Sequence, residues 1–215
     1  MRKFKDYLNE SLISTETKDR TQLLVQSVYS KYASHYSKNQ PEVVGWMDGT
    51  ENALIRNTKI FEAGIDTNDS VLDVGCGVAH LYYFLENKGW KGEYLGIDPN
   101  EKAIRLVENI PTICGTIEDL KTTFYEKFDW VIASGVFNIG LKENHTKWTI
   151  KQMTKRANKG VIFNMLKHPY TDENYTAYKA EEIEKWLKQF DHRKIEIVDG
   201  YMPGDEEFTV YFYKA

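Results

Sequence analysis

The chain has 215 residues, enough for one sizeable domain and a small appendage. Charged residues make up 28%, the mean hydropathy is −0.55, and no stretch approaches the roughly 20 apolar residues of a bilayer span. The formal net charge of −4 argues against a large basic groove for nucleic acid, and two cysteines, Cys76 and Cys114, are too few for a disulfide framework.

The N-terminal "MRKFKDYLNESLIS" is basic but has no apolar segment behind it, so it does not read as a secretory signal, and a reducing cytoplasm is the expected compartment. Residues 2–13 and about 17–37 read as helices, the second with Leu23, Leu24, Val28 and Tyr32 at helical spacing. "SKNQPEVVGWMDGT" is a loop, punctuated by Pro41, Gly45 and Gly49. A helix over about 50–63 follows, with Leu54, Ile55, Ile60 and Phe61. These elements form a helical cap over residues 1–65, ahead of a main domain over 66–215.

From residue 70 the pattern alternates. "SVLDVG" predicts a strand and "AHLYYFLENKG" a helix closed by Gly89; "GEYLGID" predicts a strand and "PNEKAIRLVENI" a helix with Pro99 in its first turn. "PTICGT" and "FDWVIASG" are strands, about 145–158 a helix, "GVIFNML" a strand, and about 178–190 a helix. Strands "KIEIVDG" and "FTVYFYK" close the chain with no helix between them. The alternation implies a doubly wound, mostly parallel α/β sheet, and the last two strands add an antiparallel β-hairpin.

In such a sheet, ligands lie beyond the carboxyl ends of the strands at the switch point, here at Gly75 and Gly77. Missing Cβ atoms let backbone N–H groups approach a ligand. The dinucleotide pattern G-x-G-x-x-G needs glycine at position 80, where this chain has His80, and a pyrophosphate would be repelled by Asp73. A carboxylate there suits a cationic nucleoside, and S-adenosylmethionine carries both a sulfonium and an ammonium. Asp98, closing the next strand, can accept hydrogen bonds from both ribose hydroxyls.

With "VLDVGCG" and "GIDP" in place, the chain resembles the class I S-adenosylmethionine-dependent methyltransferases over about residues 69–215. The resemblance implies a seven-stranded sheet. It departs from the family's usual "GCGxG" at Ala79 and His80, and from the usual "GD" after the third strand at Thr116. The adenine contact then falls to the Ile117 backbone N–H, or to Glu118 or Asp119. Segments "VGWMDGTENALIRNTKIFEAG" and "VIASGVFN" further resemble a subgroup of uncharacterised members that pair a "GW…R" segment with "ASGxFN". The implied cofactor residues are Trp46, Arg56, Asp73, Val74, Gly75, Cys76, Gly77, Asp98, Pro99, Thr116, Ile117, Glu118 and Ser134. Within that set, the Ser134–Gly135 backbone offers a carbonyl to the methionine ammonium, and Arg56 a fork to its carboxylate.

Phe137, Asn138 and Asn164 are candidates for the acceptor pocket. An amide at Asn164, inside an apolar run, needs hydrogen-bond partners from backbone or ligand. His145 and His168 read as loop residues on the ligand side, and no residue stands out as a catalytic base or a metal ligand. The expected activity is methyl transfer from S-adenosylmethionine, leaving S-adenosylhomocysteine, to an oxygen or nitrogen of a small-molecule acceptor. Alternatives are a protein substrate, a non-catalytic cofactor-binding module, and an NAD-dependent oxidoreductase. The two prolines of the amino-DNA methyltransferase motif are missing from "SGVFN".

Overall fold

A computed structural model of the chain describes residues 34–35, 49–120, 127–139, 142–169 and 175–215. The helices expected over 2–13 and 17–37 lie outside this set apart from the helical residues 34 and 35, as does Trp46. The described elements begin with α1 (Gly49–Glu62), β1 (Val71–Val74), α2 (His80–Asn87), β2 (Tyr94–Asp98), α3 (Glu101–Ile104) and β3 (Thr112–Cys114). Then come β4 (Phe128–Ala133), a 3-10 turn (Val136–Asn138), α4 (Glu143–Arg156), β5 (Ala157–Lys167), β6 (Ala177–Tyr178) and α5 (Ala180–Leu187). The last are β7 (Lys194–Val198), a 3-10 turn (Pro203–Asp205) and β8 (Glu207–Tyr213).

The sheet runs β3-β2-β1-β4-β5-β8-β7, with the two-residue β6 paired in parallel to β5, so it has eight strands instead of the seven expected. All other pairings are parallel except those of β8, which lies antiparallel between β5 and β7. Strand order reverses between β1 and β4, which places the switch point at the end of β1. Strands β1, β4 and β5 are buried on both faces, as their near-continuous apolar sequences require.

The two faces of the sheet differ. Leu72, Val74, Val131, Val161, Phe163, Val210 and Phe212 pack with α4 and α5. Val71, Tyr94, Trp130, Ile132, Ile162 and Tyr211 pack on the other side with Ile60 and Ala63 of the α1 segment and Leu81 and Leu85 of α2. Helix α1 is thus part of the same core, and two β8 phenols fix its C-terminal end. Tyr211 Oη donates to the Lys59 carbonyl (2.6 Å) and Tyr213 Oη to that of Ala63 (3.2 Å).

Gly89 terminates α2 as expected, at φ +84°, with Trp90 N–H donating back to Leu85 O. The helix expected over 99–110 shortens to four residues of α3 followed by tight turns, because only Ala103 of that element is fully buried. Gly160, near the start of β5, is closely packed against β8 and β4. A Cβ there would stand 2.4 Å from Phe212 O and 2.7 Å from Trp130 Cζ3. Neither backbone nor buried indole can yield, so Gly160→Ala should destabilise the fold by about 2–3 kcal/mol in urea titration, the usual cost of overpacking.

Candidate active site

The turn after β1 is built for backbone exposure. Gly75 and Gly77 adopt φ +76° and +53°, and Ala79 follows at +62° before α2 begins. A Cβ on Gly75 would lie 2.4 Å from Val136 Cγ2, so the post-β4 turn sits directly against the glycine turn. Gly75 and Cys76 N–H donate to Ile97 O at 2.7 and 3.2 Å. Gly77 N–H donates to Asp98 Oδ2 (2.9 Å), and Asn100 N–H donates to Asp98 Oδ1 (2.7 Å). Asp98 therefore ties the glycine turn to the end of β2.

Asp73 lies beside it on the same face, in register with Gly96 of β2. It is 3% exposed, and its Oδ2 accepts the Tyr94 hydroxyl at 2.7 Å. Among the described residues no cation stands within ion-pair distance of Asp73 or Asp98. Burial pushes the Asp73 carboxyl up to about 7 against the pull of the Tyr94 hydrogen bond, with the Asp98 charge adding to the rise. Burial likewise raises Asp98 to about 6, against the two backbone N–H bonds. Two carboxylates without a counter-charge are costly to ionise here, which a cationic ligand would reverse.

The other expected cofactor residues among those described lie around the carboxyl ends of β1 to β4, apart from Arg56 on α1. Val74 turns into the core on the α4 side. Cys76 is buried against Gly96, and burial raises its thiol well above the usual range. Pro99 is half-buried. After β3, Thr116 N–H and its hydroxyl both donate to Asp119 Oδ2, the hydroxyl also reaches Glu118 Oε2, and Ile117 is buried in the core. Ser134 directly follows β4, and its Oγ is buried with no hydrogen-bond partner among the described residues.

Arg56 lies 9% exposed on α1, where its Nε–H donates to both carboxylate oxygens of Glu207 at 3.2 and 2.9 Å. Glu207, 1% exposed, also accepts from Asn164 Nδ2 (2.8 Å) and Tyr201 Oη (3.0 Å). Asn164 Oδ1 in turn accepts Gly135 N–H at 2.7 Å. Both ends of the Asn164 amide are thus satisfied by protein. Glu207 and Tyr201 were not legible as site residues. The one available signal was the alternation Glu207, Thr209, Tyr211, Tyr213, which puts the glutamate on the face of β8 that meets α1.

Two expectations are corrected. Phe137 is fully buried and packs edge-on to Phe163, so it supports the core below the site and offers an acceptor no surface. His145 is not a loop residue; it lies in the first turn of α4, 8% exposed and stacked on Trp148, and burial lowers its imidazole below the usual range. Asn138 lies in the 3-10 turn, where its Oδ1 accepts Leu166 N–H (3.1 Å) and its carbonyl accepts Thr176 N–H (2.9 Å). Among the described residues no cluster of ligating side chains could hold a metal ion, and no helix is long and apolar enough to cross a membrane.

Comparison with known proteins identifies the family and the fold. A putative methyltransferase of Mycobacterium tuberculosis, Rv1506c, is 30% identical over 164 residues, covering 68% of this chain and 93% of that protein. Magnesium protoporphyrin IX methyltransferase from Synechocystis PCC 6803, solved with S-adenosylmethionine bound, superposes with a TM-score of 0.66 at 14% identity, over 95% of this chain and 100% of that one. The N-methyltransferase NodS from Bradyrhizobium japonicum WM9, in complex with S-adenosylhomocysteine, gives 0.67 at 14% identity, over 89% and 98%. The profile described as a methyltransferase domain matches residues 65–208. On that match the chain belongs to the methyltransferase-domain family, and its sheet has the fold of the class I S-adenosylmethionine-dependent enzymes.

Proposed function

We propose that this chain transfers the methyl group of S-adenosylmethionine to an oxygen or nitrogen of a small-molecule acceptor. The observation that carries the cofactor assignment is the pair of buried carboxylates, Asp73 and Asp98, with no cation beside them among the described residues and with a glycine turn that exposes backbone next to them. A nucleoside bearing positive charge restores both to their ionised forms; a pyrophosphate would oppose them. Asp98 accepts the ribose hydroxyls on its free lone pairs, Gly75 and Gly77 admit the nucleoside closely, and the Ser134 carbonyl accepts the methionine ammonium. The Nε edge of Arg56 is held by Glu207, and the positive charge of the guanidinium suits the cofactor carboxylate.

Held by Asp73, Asp98, Arg56 and the Ser134 carbonyl, S-adenosylmethionine would supply an activated methyl group to the acceptor atom and leave as S-adenosylhomocysteine, with the acceptor's proton going to solvent. The protein's task is alignment, which is worth roughly 7–11 kcal/mol in well-oriented systems. The acidic balance of the chain does not favour a nucleic-acid groove, which supports a small-molecule acceptor over a nucleic acid.

The test is calorimetry across pH. Because Asp73 and Asp98 hold protons up to about 7 and about 6, cation binding must expel them. Affinity for S-adenosylmethionine should therefore rise about tenfold or more from pH 5.5 to pH 8, with proton release visible in buffers of different ionisation enthalpy. Absence of binding at any pH, or binding of nicotinamide dinucleotides instead, overturns the cofactor. Turnover to S-adenosylhomocysteine with a metabolite pool, and not with a protein pool, supports the acceptor class.

A further inference from the structure

We infer that Glu207 and Asn164 form a positioning relay that aims the Ser134 carbonyl at the cofactor's ammonium; the inference rests on the cofactor reading above. The relay begins where Arg56 and Tyr201 fix the Glu207 carboxylate, at 2.9 and 3.0 Å. An amide can flip, but Asn164 Nδ2 donates to Glu207 Oε1 at 2.8 Å, which obliges its Oδ1 to face the other way. That oxygen receives Gly135 N–H at 2.7 Å.

The Ser134–Gly135 peptide is trans, since the cis bond among the described residues is His168–Pro169. In a trans peptide the N–H and the preceding C=O point in opposite directions. With Gly135 N–H drawn toward β5, the Ser134 carbonyl is turned toward the side of β1. Strand β4 lies between β1 and β5, so this is the side of Gly75 and Asp73. The post-β4 turn is already in contact with Gly75 through Val136. Each bond of the chain thus removes one freedom from the oxygen at its end.

The arrangement also has an electrostatic sense. A carboxylate bonded to the amide end of Asn164 polarises that amide, which in turn polarises the Ser134–Gly135 peptide. Negative partial charge accumulates on the last oxygen, where a cation is to be held. Both relay residues are deeply buried, 1% and 2% exposed, so water does not screen the effect. Glu207 accepts from three side chains and acts as a positioning residue.

Three nucleosides separate this from a merely structural role. S-adenosylhomocysteine has both ammonium and carboxylate, its decarboxylated analogue keeps only the ammonium, and 5′-methylthioadenosine has neither. In Asn164→Leu, which leaves the Arg56–Glu207 pair intact, calorimetry should show the first two weakened about tenfold, with 5′-methylthioadenosine within about twofold of wild type. Equal loss for all three, or loss for none, overturns the relay. Loss confined to S-adenosylhomocysteine would assign Asn164 to the carboxylate instead and also overturns it. If the leucine variant does not fold, Tyr201→Phe removes one anchor of Glu207, and the same selective pattern should appear at about twofold to threefold. Wild-type protein that binds none of the three removes the cofactor reading itself, an outcome distinct from failure of the relay.

Discussion

Asp98→Ala should lower the affinity for S-adenosylhomocysteine at least a hundredfold and reduce the melting temperature by about 5 °C. The two effects have separate origins. In the protein alone, Asp98 satisfies Gly77 N–H and Asn100 N–H, and both donors lie at a buried turn. Hydrogen bonds to a charged acceptor contribute about 1.5–3 kcal/mol each. Part of that loss is offset, because removing the carboxylate also removes the burial that lifts its pKa to about 6. A net cost of about 2 kcal/mol corresponds to several degrees in a domain of this size. On the proposed cofactor reading the same side chain accepts the ribose hydroxyls, so its removal should also cost two ligand contacts, roughly 3 kcal/mol or two decades in affinity.

Asp98→Asn separates the contributions. The amide keeps one acceptor oxygen for the turn but offers no negative charge and cannot accept on both sides. Its melting temperature should stay nearer that of the wild type, while affinity still falls at least tenfold. Calorimetry and thermal denaturation on the same three proteins decide the matter. Binding by Asp98→Ala as tight as the wild type would show that the aspartate serves the turn alone.

The parts of the fold legible in the sequence are those whose physics is local. Strands β1, β4 and β5 are apolar runs that a doubly buried sheet requires, and the glycines of "DVGCG" announce a turn whose positive φ angles the structure shows. Asn164 was legible as a question, since an amide inside such a run must find partners, but the sequence could not say which. The answer, Glu207, lies 43 residues away. Its partner Arg56 is 151 residues distant on a helix held by the phenols of β8. Pairings at that separation are fixed by strand order, and β8 enters between β5 and β7 without any local signal of its position. The same reason explains Phe137: "SGVFN" places it next to the site in sequence, whereas the 3-10 turn rotates it into the core on the opposite face. The short α3 failed for the converse reason, being helical in local pattern with too little buried surface to extend.

Asp73 gives the second large effect, and it runs in an unusual direction. Its folded pKa of about 7 stands above the ordinary value of 3.8, so the native state holds the proton more tightly than the unfolded chain. Its contribution to stability is complete below about pH 4 and is lost as pH rises through about 7. That loss is on the order of 4 kcal/mol, at 1.4 kcal/mol for each unit of difference. Asn at position 73 keeps an oxygen for the Tyr94 hydroxyl and never ionises. Asp73→Asn should therefore unfold at higher denaturant than wild type at pH 8, by about 1–3 kcal/mol, and show no advantage at pH 4.5. The same substitution should weaken S-adenosylmethionine at least tenfold at pH 8, because the cation loses the charge that faces it. That pair of results would mark Asp73 as a binding residue, retained at a cost to the free protein that a cation offsets. If Asp73→Asn loses stability at pH 8, or binds the cofactor as well as wild type does, the carboxylate is there for the fold and the electrostatic reading of the site fails.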